Sequence, residues 1–291
     1  GQLTTLAENR AWPSLARSKK KQLETKDWPA LNTLIGDEVA NITGDVQFML
    51  DFAIIGHPKT ATTFTMKWLA AQDEIAMYDH EIHSMQTGKP AELISLLHEL
   101  KPGYYYKRGY KAPHDVGNER SLKAINTYFP KTKLIVGLRH PIKWFESFYN
   151  FRARHGFTMP PAETLLGAVR NAAGVFTDEA KFHLNLDTLG KTDRNSSEEL
   201  KLLSWGKKKR PNLPKLKNPV FLYELGQLYD ENHTRVALYR ADLKNFLGLE
   251  NDLKPFVEST RDKSEDLMTI DICQVQYRFI RAELMKNAAE A

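Results

Sequence analysis

The segment Gly56-His57-Pro58-Lys59-Thr60-Ala61-Thr62-Thr63 carries one lysine, three threonines and no carboxylate. An apolar run, Phe52 to Ile55, precedes it, and a helical pattern opens at Thr62. A loop between a strand and a helix start gathers unpaired backbone N–H groups and the positive end of a helix dipole at one point, which suits a phosphate. Lys59 adds a point charge there, and Thr60, Thr62 and Thr63 add hydroxyl donors. The NTPase pattern G-x-x-x-x-G-K-[ST] is not met: counted from Gly56, the second glycine position holds Ala61 and the lysine position holds Thr62. Further along, Arg139 and Ser147 bracket the start of a helix that has Pro141 in its first turn. A planar arginine fork and a hydroxyl together can clamp a second anionic group. A magnesium-dependent NTPase would need a carboxylate after its second hydrophobic strand, and here that strand runs into Arg139-His140. These residue types suit a phosphate ester held without a metal and weigh against a kinase.

The elements that must position these groups follow from the apolar pattern. The first strand signal is Val46 to Gly56, ending in a continuous apolar run that suits a buried parallel strand. Thr62 to Gln72 reads as a helix, as do Ala91 to Leu100 and Gly117 to Tyr128. Lys133 to Leu138 is a second buried strand, feeding a helix through Phe151. A long helix from Ala162 to about Leu186, a polar linker Gly190 to Ser197 and a basic, proline-broken loop Lys207 to Asn218 come next. Val220 to Tyr223 is a third strand, followed by a helix to about Phe246 closed by Leu247-Gly248-Leu249. Strands alternating with helices predict an α/β fold: one domain, residues 46–291, with a central, mostly parallel sheet flanked by helices. Residues 1–45, with the basic run Arg17 to Lys21, read as a peripheral arm.

Composition narrows the function classes. Of 291 residues, 42% are apolar and 26% charged, which is globular rather than disordered. The single cysteine, Cys273, excludes an internal disulfide and a cysteine zinc cluster, and it reads as a core residue. No apolar run reaches the ~18 residues of a membrane span. A net charge of +5 favours an anionic ligand but, spread over 291 residues, is no nucleic-acid signature. The chain starts without a methionine, so an upstream anchor could have been trimmed, and the compartment stays open between cytoplasm and Golgi lumen.

P-K-T-A-T-T-F after one strand, with L-I-V-G-L-R-H-P-I-K-W-F-E-S-F-Y after a later one, resembles the sulfotransferase family. Its members use 3′-phosphoadenosine 5′-phosphosulfate (PAPS) and release adenosine 3′,5′-bisphosphate. The family pattern P-K-[ST]-G-T-T falls on Pro58 to Thr63, and R-x-P-x(5)-S-x-Y falls on Arg139, Pro141, Ser147 and Tyr149. The resemblance implies the P-loop-like sulfotransferase fold, with Lys59 and Thr60, Ala61, Thr62 and Thr63 around the 5′-phosphosulfate. It likewise implies Arg139 and Ser147 at the 3′-phosphate, with no metal. Arg261 and Lys263 match by position only a basic loop that the family often folds over that phosphate. Ala61 departs from the family's glycine, and a methyl group there bears on the shape of the turn.

Sulfuryl transfer to a hydroxyl needs a base for the acceptor's proton and positive charge for the departing phosphate. Lys59 suits the second task. Asp79-His80-Glu81-Ile82-His83 resembles the K-E-x-H segment of the Golgi-type carbohydrate sulfotransferases, which implies Glu81 as the base. Tyr110-Lys111-Ala112-Pro113-His114 resembles that subfamily's K-[ST]-P-x-Y element, whose lysine lies near the transferred group, and more loosely the K-T-H segment of the cytosolic enzymes. That makes Lys111 a catalytic candidate and leaves His114, His80 and His83 as alternative bases. Lys207 to Arg210 could contact a sulfated glycan, and Tyr104-Tyr105-Tyr106 could line an acceptor pocket, although a solvated loop and an aromatic strand face account for them as well. The expected function is transfer of a sulfuryl group from PAPS to a hydroxyl or amine of a carbohydrate or small-molecule acceptor. The rivals are a small-molecule kinase with a degenerate loop, which would turn over ATP with magnesium, and an inactive nucleotide- or glycan-binding homologue.

Overall fold

The computed structural model describes residues 28–36, 42–100, 103–156, 161–162, 216–256 and 270–288. The helix expected from Ala162, the linker and basic loop before Leu216, the Arg17 to Lys21 run, and Arg261 and Lys263 lie outside these residues, Ala162 itself excepted.

Among the described residues, five parallel strands form one sheet: β1 (Phe52–Ile54), β2 (Ile75–Ala76), β3 (Lys107–Lys111), β4 (Lys133–Leu138) and β5 (Val220–Glu224), in the order β2-β3-β1-β4-β5. Because the strands are parallel, the loops leaving β1, β3 and β4 all emerge at the same sheet edge, the position where open α/β sheets bind ligands. The helices are α1 (Thr62–Ala70), α2 (Pro90–Glu99), α3 (Glu119–Tyr128), α4 (Pro141–Arg154), α5 (His233–Leu247) and α6 (Arg278–Ala288).

Side chains alternate across the pleat and divide the core in two. Ala53, Ile55, Tyr110, Leu134 and Val136 face α2 and α3 with Leu93, Leu97, Leu122 and Ile125. Phe52, Ile54, Ile135 and Tyr223 face α1 and α5 with Met66, Leu69, Tyr239 and Leu243. A third cluster joins Trp144, Phe145 and Phe148 of α4 to Ile272, Ile280 and Leu284. Covering both faces explains why β4 reads as an unbroken apolar run. The helix ends follow ordinary capping chemistry. Asn232 accepts from Thr234 and Arg235 at the start of α5, and Gly248 closes it at φ 73, a left-handed position that favours glycine.

The structure departs from the sequence expectations in several places. The first strand is only Phe52–Ile54, and Gln47–Met49 is a 3-10 turn. β3 carries Lys107, Arg108 and Lys111, so no apolar run announced it. Arg108 is buried, its guanidinium 4.2 Å from the Trp28 ring and donating to Gly103 O, and Gly109 packs under the Phe52 ring. Tyr104 packs on Trp28 and Phe48 ahead of the N-terminal end of β3, the end opposite Lys111, so the three tyrosines do not line the site. Residues 28–36 pack on the α2/α3 side through Leu34 and Trp28. Cys273 is exposed rather than part of the core, because the turn after Ile272 points it outward beside Lys143.

Candidate active site

β1 delivers the chain into the loop 56–61, and α1 begins directly after it. Gly56 and Gly137 let that loop lie flush on β4. A Cβ on Gly56 would stand 2.5 Å from Gly137 N, and one on Gly137 would stand 2.5 Å from Thr60 Oγ1 and 2.6 Å from the Tyr223 hydroxyl.

From His57 to Ala61, each carbonyl oxygen of the loop accepts a hydrogen bond from the protein. Thr60 Oγ1 donates to His57 O at 2.7 Å, and Trp144 Nε1 to Pro58 O at 2.9 Å. Arg139 Nη1 donates to Lys59 O at 3.1 Å, the buried Tyr223 hydroxyl to Thr60 O at 2.8 Å, and Thr65 N to Ala61 O at 2.9 Å. Turning the carbonyls into the fold leaves the loop's N–H groups to the opposite side. There they join the first-turn N–H groups of α1, which have no intrahelical partner. Backbone donors so arranged suit an anion. The hydroxyl of Thr60 is fully buried and shapes the loop from within, so this residue can offer an anion only its N–H.

Two non-glycine residues of the loop are left-handed, Lys59 at φ 67 and Ala61 at φ 62. The Cβ of an L-residue costs about 1–2 kcal/mol in that region. Ala61 therefore keeps the turn that glycine would make, at some cost in strain. Ala61→Gly should remove the strain while adding chain entropy to the unfolded state, which offsets about 0.4–1 kcal/mol. The expected net is a stabilisation of about 0.5 kcal/mol, read by denaturant midpoint, with anion affinity maintained. A loss of stability would show that the methyl group makes a packing contact worth more than the strain.

β1 pairs with β3 so that Ile54 lies opposite Lys111, which sets Lys111 at the strand end beside the loop. Lys111 is 2% exposed. Its Nζ donates to Thr63 Oγ1 at 2.9 Å and to Glu81 Oε1. Backbone ties bring Glu81 there: Ile82 N donates to Lys111 O at 3.1 Å, and the buried Ile82 and Met85 anchor the segment in the core. Glu81 keeps 37% of its side chain exposed, and its Oε2 lies 3.6 Å from His83 Nε2. His80 is exposed and sits 3.3 Å from Asp79, and His114 is exposed at the turn that follows Lys111.

Arg139 leaves β4 half-buried, and α4 follows with Pro141 in its first turn. Trp144 reaches Pro58, and the Lys59 ammonium lies 4.2 Å from the centroid of the Phe151 ring. Ser147 stands between these two residues on the same helix face, which places it beside the loop. The structure thus brings together Pro58 to Thr63, Glu81, Lys111 and Arg139, with Ser147 on the face of α4 that carries Trp144 and Phe151. Sequence reasoning missed Tyr223, Trp144 and Phe151, which hold the loop and its lysine. It also missed Phe64, Tyr229 and Phe256, whose rings cluster beside the first turn of α1.

Lys59 is held below the usual lysine range, first by burial and then by the charges of Arg139, Arg154 and Lys111. A bound polyanion opposes all of these effects and raises the Lys59 pKa again. Anion affinity is therefore flat below the pKa of the free protein and falls above it, because binding must then take up a proton. The fall should begin below pH 10.5 and vanish in Lys59→Arg, as read by titration calorimetry across pH. An affinity that stays flat in wild type through this range would remove Lys59 from the anion site.

Among the described residues, the five-stranded parallel sheet carries the loop 56–61 and the Lys111–Glu81 pair at one edge. No family model and no curated protein matches this chain. Among solved structures, it is similar to a sulfotransferase from Alicyclobacillus acidocaldarius, at 13% identity over 82% of this chain and 96% of that one, with a TM-score of 0.49. It is also similar to the sulfotransferase domain from the curacin biosynthetic pathway, at 14% identity over 72% and 78% of the two chains and a TM-score of 0.40. A third similar structure is the sulfotransferase domain from the Synechococcus PCC 7002 olefin synthase, at 12% identity over 82% and 94% and a TM-score of 0.41. Similarity this distant assigns no activity, which rests on the chain's own residues.

Proposed function

We propose that this chain is a sulfotransferase that moves a sulfuryl group from PAPS to a hydroxyl or amine of a carbohydrate or small-molecule acceptor. The observation that carries this reading is the Glu81–Lys111–Thr63 chain. Its members come from three separate segments of the family resemblance, 30 and 48 residues apart in sequence, and meet at the mouth of the loop through one buried lysine. What weighs against a kinase is the end of β4, where Arg139-His140 stands in place of the carboxylate that would organise magnesium.

Several features support PAPS as the donor. The N–H side of the loop and the start of α1 suit the 5′-phosphosulfate, and Lys59 and Lys111 supply charge beside it. Arg139 carries five N–H donors, so a bond to Lys59 O and a fork onto the 3′-phosphate can coexist, with Ser147 alongside. PAPS, when bound, supplies the sulfuryl group already activated on a phosphate leaving group. Glu81 takes the proton of the acceptor nucleophile, Lys111 orients Glu81 through Oε1, and Lys59 offsets the negative charge that grows on the leaving phosphate. The segments around Glu81 and Lys111 resemble those of the Golgi-type enzymes, so sugar hydroxyls are the first acceptors to screen.

The test is acceptor-dependent release of adenosine 3′,5′-bisphosphate from PAPS with a chelator present. Release that depends on an acceptor and survives chelation is the expected result. ATP turnover with magnesium in place of it would favour the kinase reading.

A further inference from the structure

The position of the Lys59 ammonium needs a physical cause. The backbone of the loop is tied to the start of α4 by Trp144 Nε1 on Pro58 O, yet Nζ lies over Phe151, seven residues further along the same helix. Seven residues are two helical turns, about 10.5 Å of rise. The lysine therefore lies against α4, with its head on the ring of a residue from the last turn. The Phe151 ring is itself braced there: the His155 ring centroid is 4.1 Å away, and His155 Nδ1 lies 2.8 Å from Phe151 O. Arg139, Arg154 and Lys111 are all close enough to repel Lys59. Among the described residues no carboxylate pairs with Lys59, and the aromatic face is the negative pole available to it.

We propose that Phe151 is a positioning residue for Lys59, holding its ammonium at rest on α4 until a polyanion in the loop draws it across. The arrival of the anion and the catalytic placement of Lys59 then become one event. This rests on the anion-binding part of the function proposed above. A cation–π contact is comparable in strength to a surface ion pair, so a bisphosphate or phosphosulfate competes with it readily. The ring delays the lysine without trapping it.

The test is NMR of the protein after reductive 13C-methylation of its lysines, a modification that keeps the charge. The Lys59 signal is identified by its loss in Lys59→Arg. In ligand-free wild type it should be displaced upfield by the Phe151 ring current. It should return to the ordinary lysine position in Phe151→Leu and stay upfield in Phe151→Tyr, which keeps the ring and controls for packing damage. Saturating adenosine 3′,5′-bisphosphate should move the wild-type signal off the ring. By calorimetry, Phe151→Leu should bind the bisphosphate about threefold tighter at pH 7, since the resting contact no longer competes. An ordinary Lys59 shift in ligand-free wild type overturns the inference. So does a signal left unmoved while calorimetry shows the bisphosphate bound, and in that case the proposed function stands. If the bisphosphate does not bind at all, that function falls, and inorganic pyrophosphate becomes the probe under the same two criteria.

Discussion

Replacing Glu81 by glutamine should lower sulfuryl transfer by about 10²–10⁴-fold, the usual contribution of a general base, while bisphosphate affinity changes little. Glutamine keeps the shape of the side chain and still accepts from Lys111, so the Lys111–Thr63 bond and the N-terminus of α1 stay in place. What it cannot do is take a proton. Lys111 is buried and loses its counter-charge, but Glu81 is more than one-third exposed, so the stability cost should be modest, about 1 kcal/mol. The informative quantities are the transfer rate at saturating PAPS and acceptor, and the affinity for the bisphosphate, measured on the same preparation. A loss confined to the rate assigns proton transfer to Glu81. If the rate is retained, the base is one of His80, His83 and His114, and the same measurement on each alanine variant identifies it.

Arg139→Ala should weaken adenosine 3′,5′-bisphosphate binding by about 10–100-fold, the loss of a charged hydrogen-bonding group worth about 1.5–3 kcal/mol. Two roles could produce that loss, because Arg139 also donates to Lys59 O and so shapes the loop. They separate when adenosine 5′-monophosphate, which lacks the 3′-phosphate, is titrated beside the bisphosphate. If Arg139 grips the 3′-phosphate, the variant loses bisphosphate affinity and keeps most of its monophosphate affinity. Equal losses for both ligands would reduce Arg139 to a loop support. Arg139→Lys should fall between wild type and alanine, since it restores the charge but not the planar fork.

The sequence was most legible where chemistry and local pattern coincide. β4 was placed at its observed limits because both of its faces are buried, and the loop was placed because a strand, a turn and a helix start follow one another within a few residues. β3 was missed because its polar residues are satisfied by distant partners: Arg108 by Trp28 and Gly103, and Lys111 by Glu81 and Thr63. Only the resemblance drew attention to Lys111. Tyr223 and Trp144 went unnoticed for the same physical reason. Each reaches the loop across 163 and 86 residues of sequence respectively, a separation that no local periodicity encodes. Phe151 was visible only as the apolar end of a helix, and its contact with Lys59 depends on how α4 lies against the loop. Cys273 was misread because burial statistics for cysteine say nothing about which way a particular turn points it.

The most direct test of the central claim is calorimetric titration of the wild-type protein with adenosine 3′,5′-bisphosphate in the presence of a chelator, beside ATP with magnesium. Saturable one-site binding of the bisphosphate, not matched by ATP, is the result this account predicts. Absence of bisphosphate binding, or binding of ATP alone and only with magnesium, would contradict it, because Lys59, Arg139 and Lys111 would then surround a cradle made for some other anion.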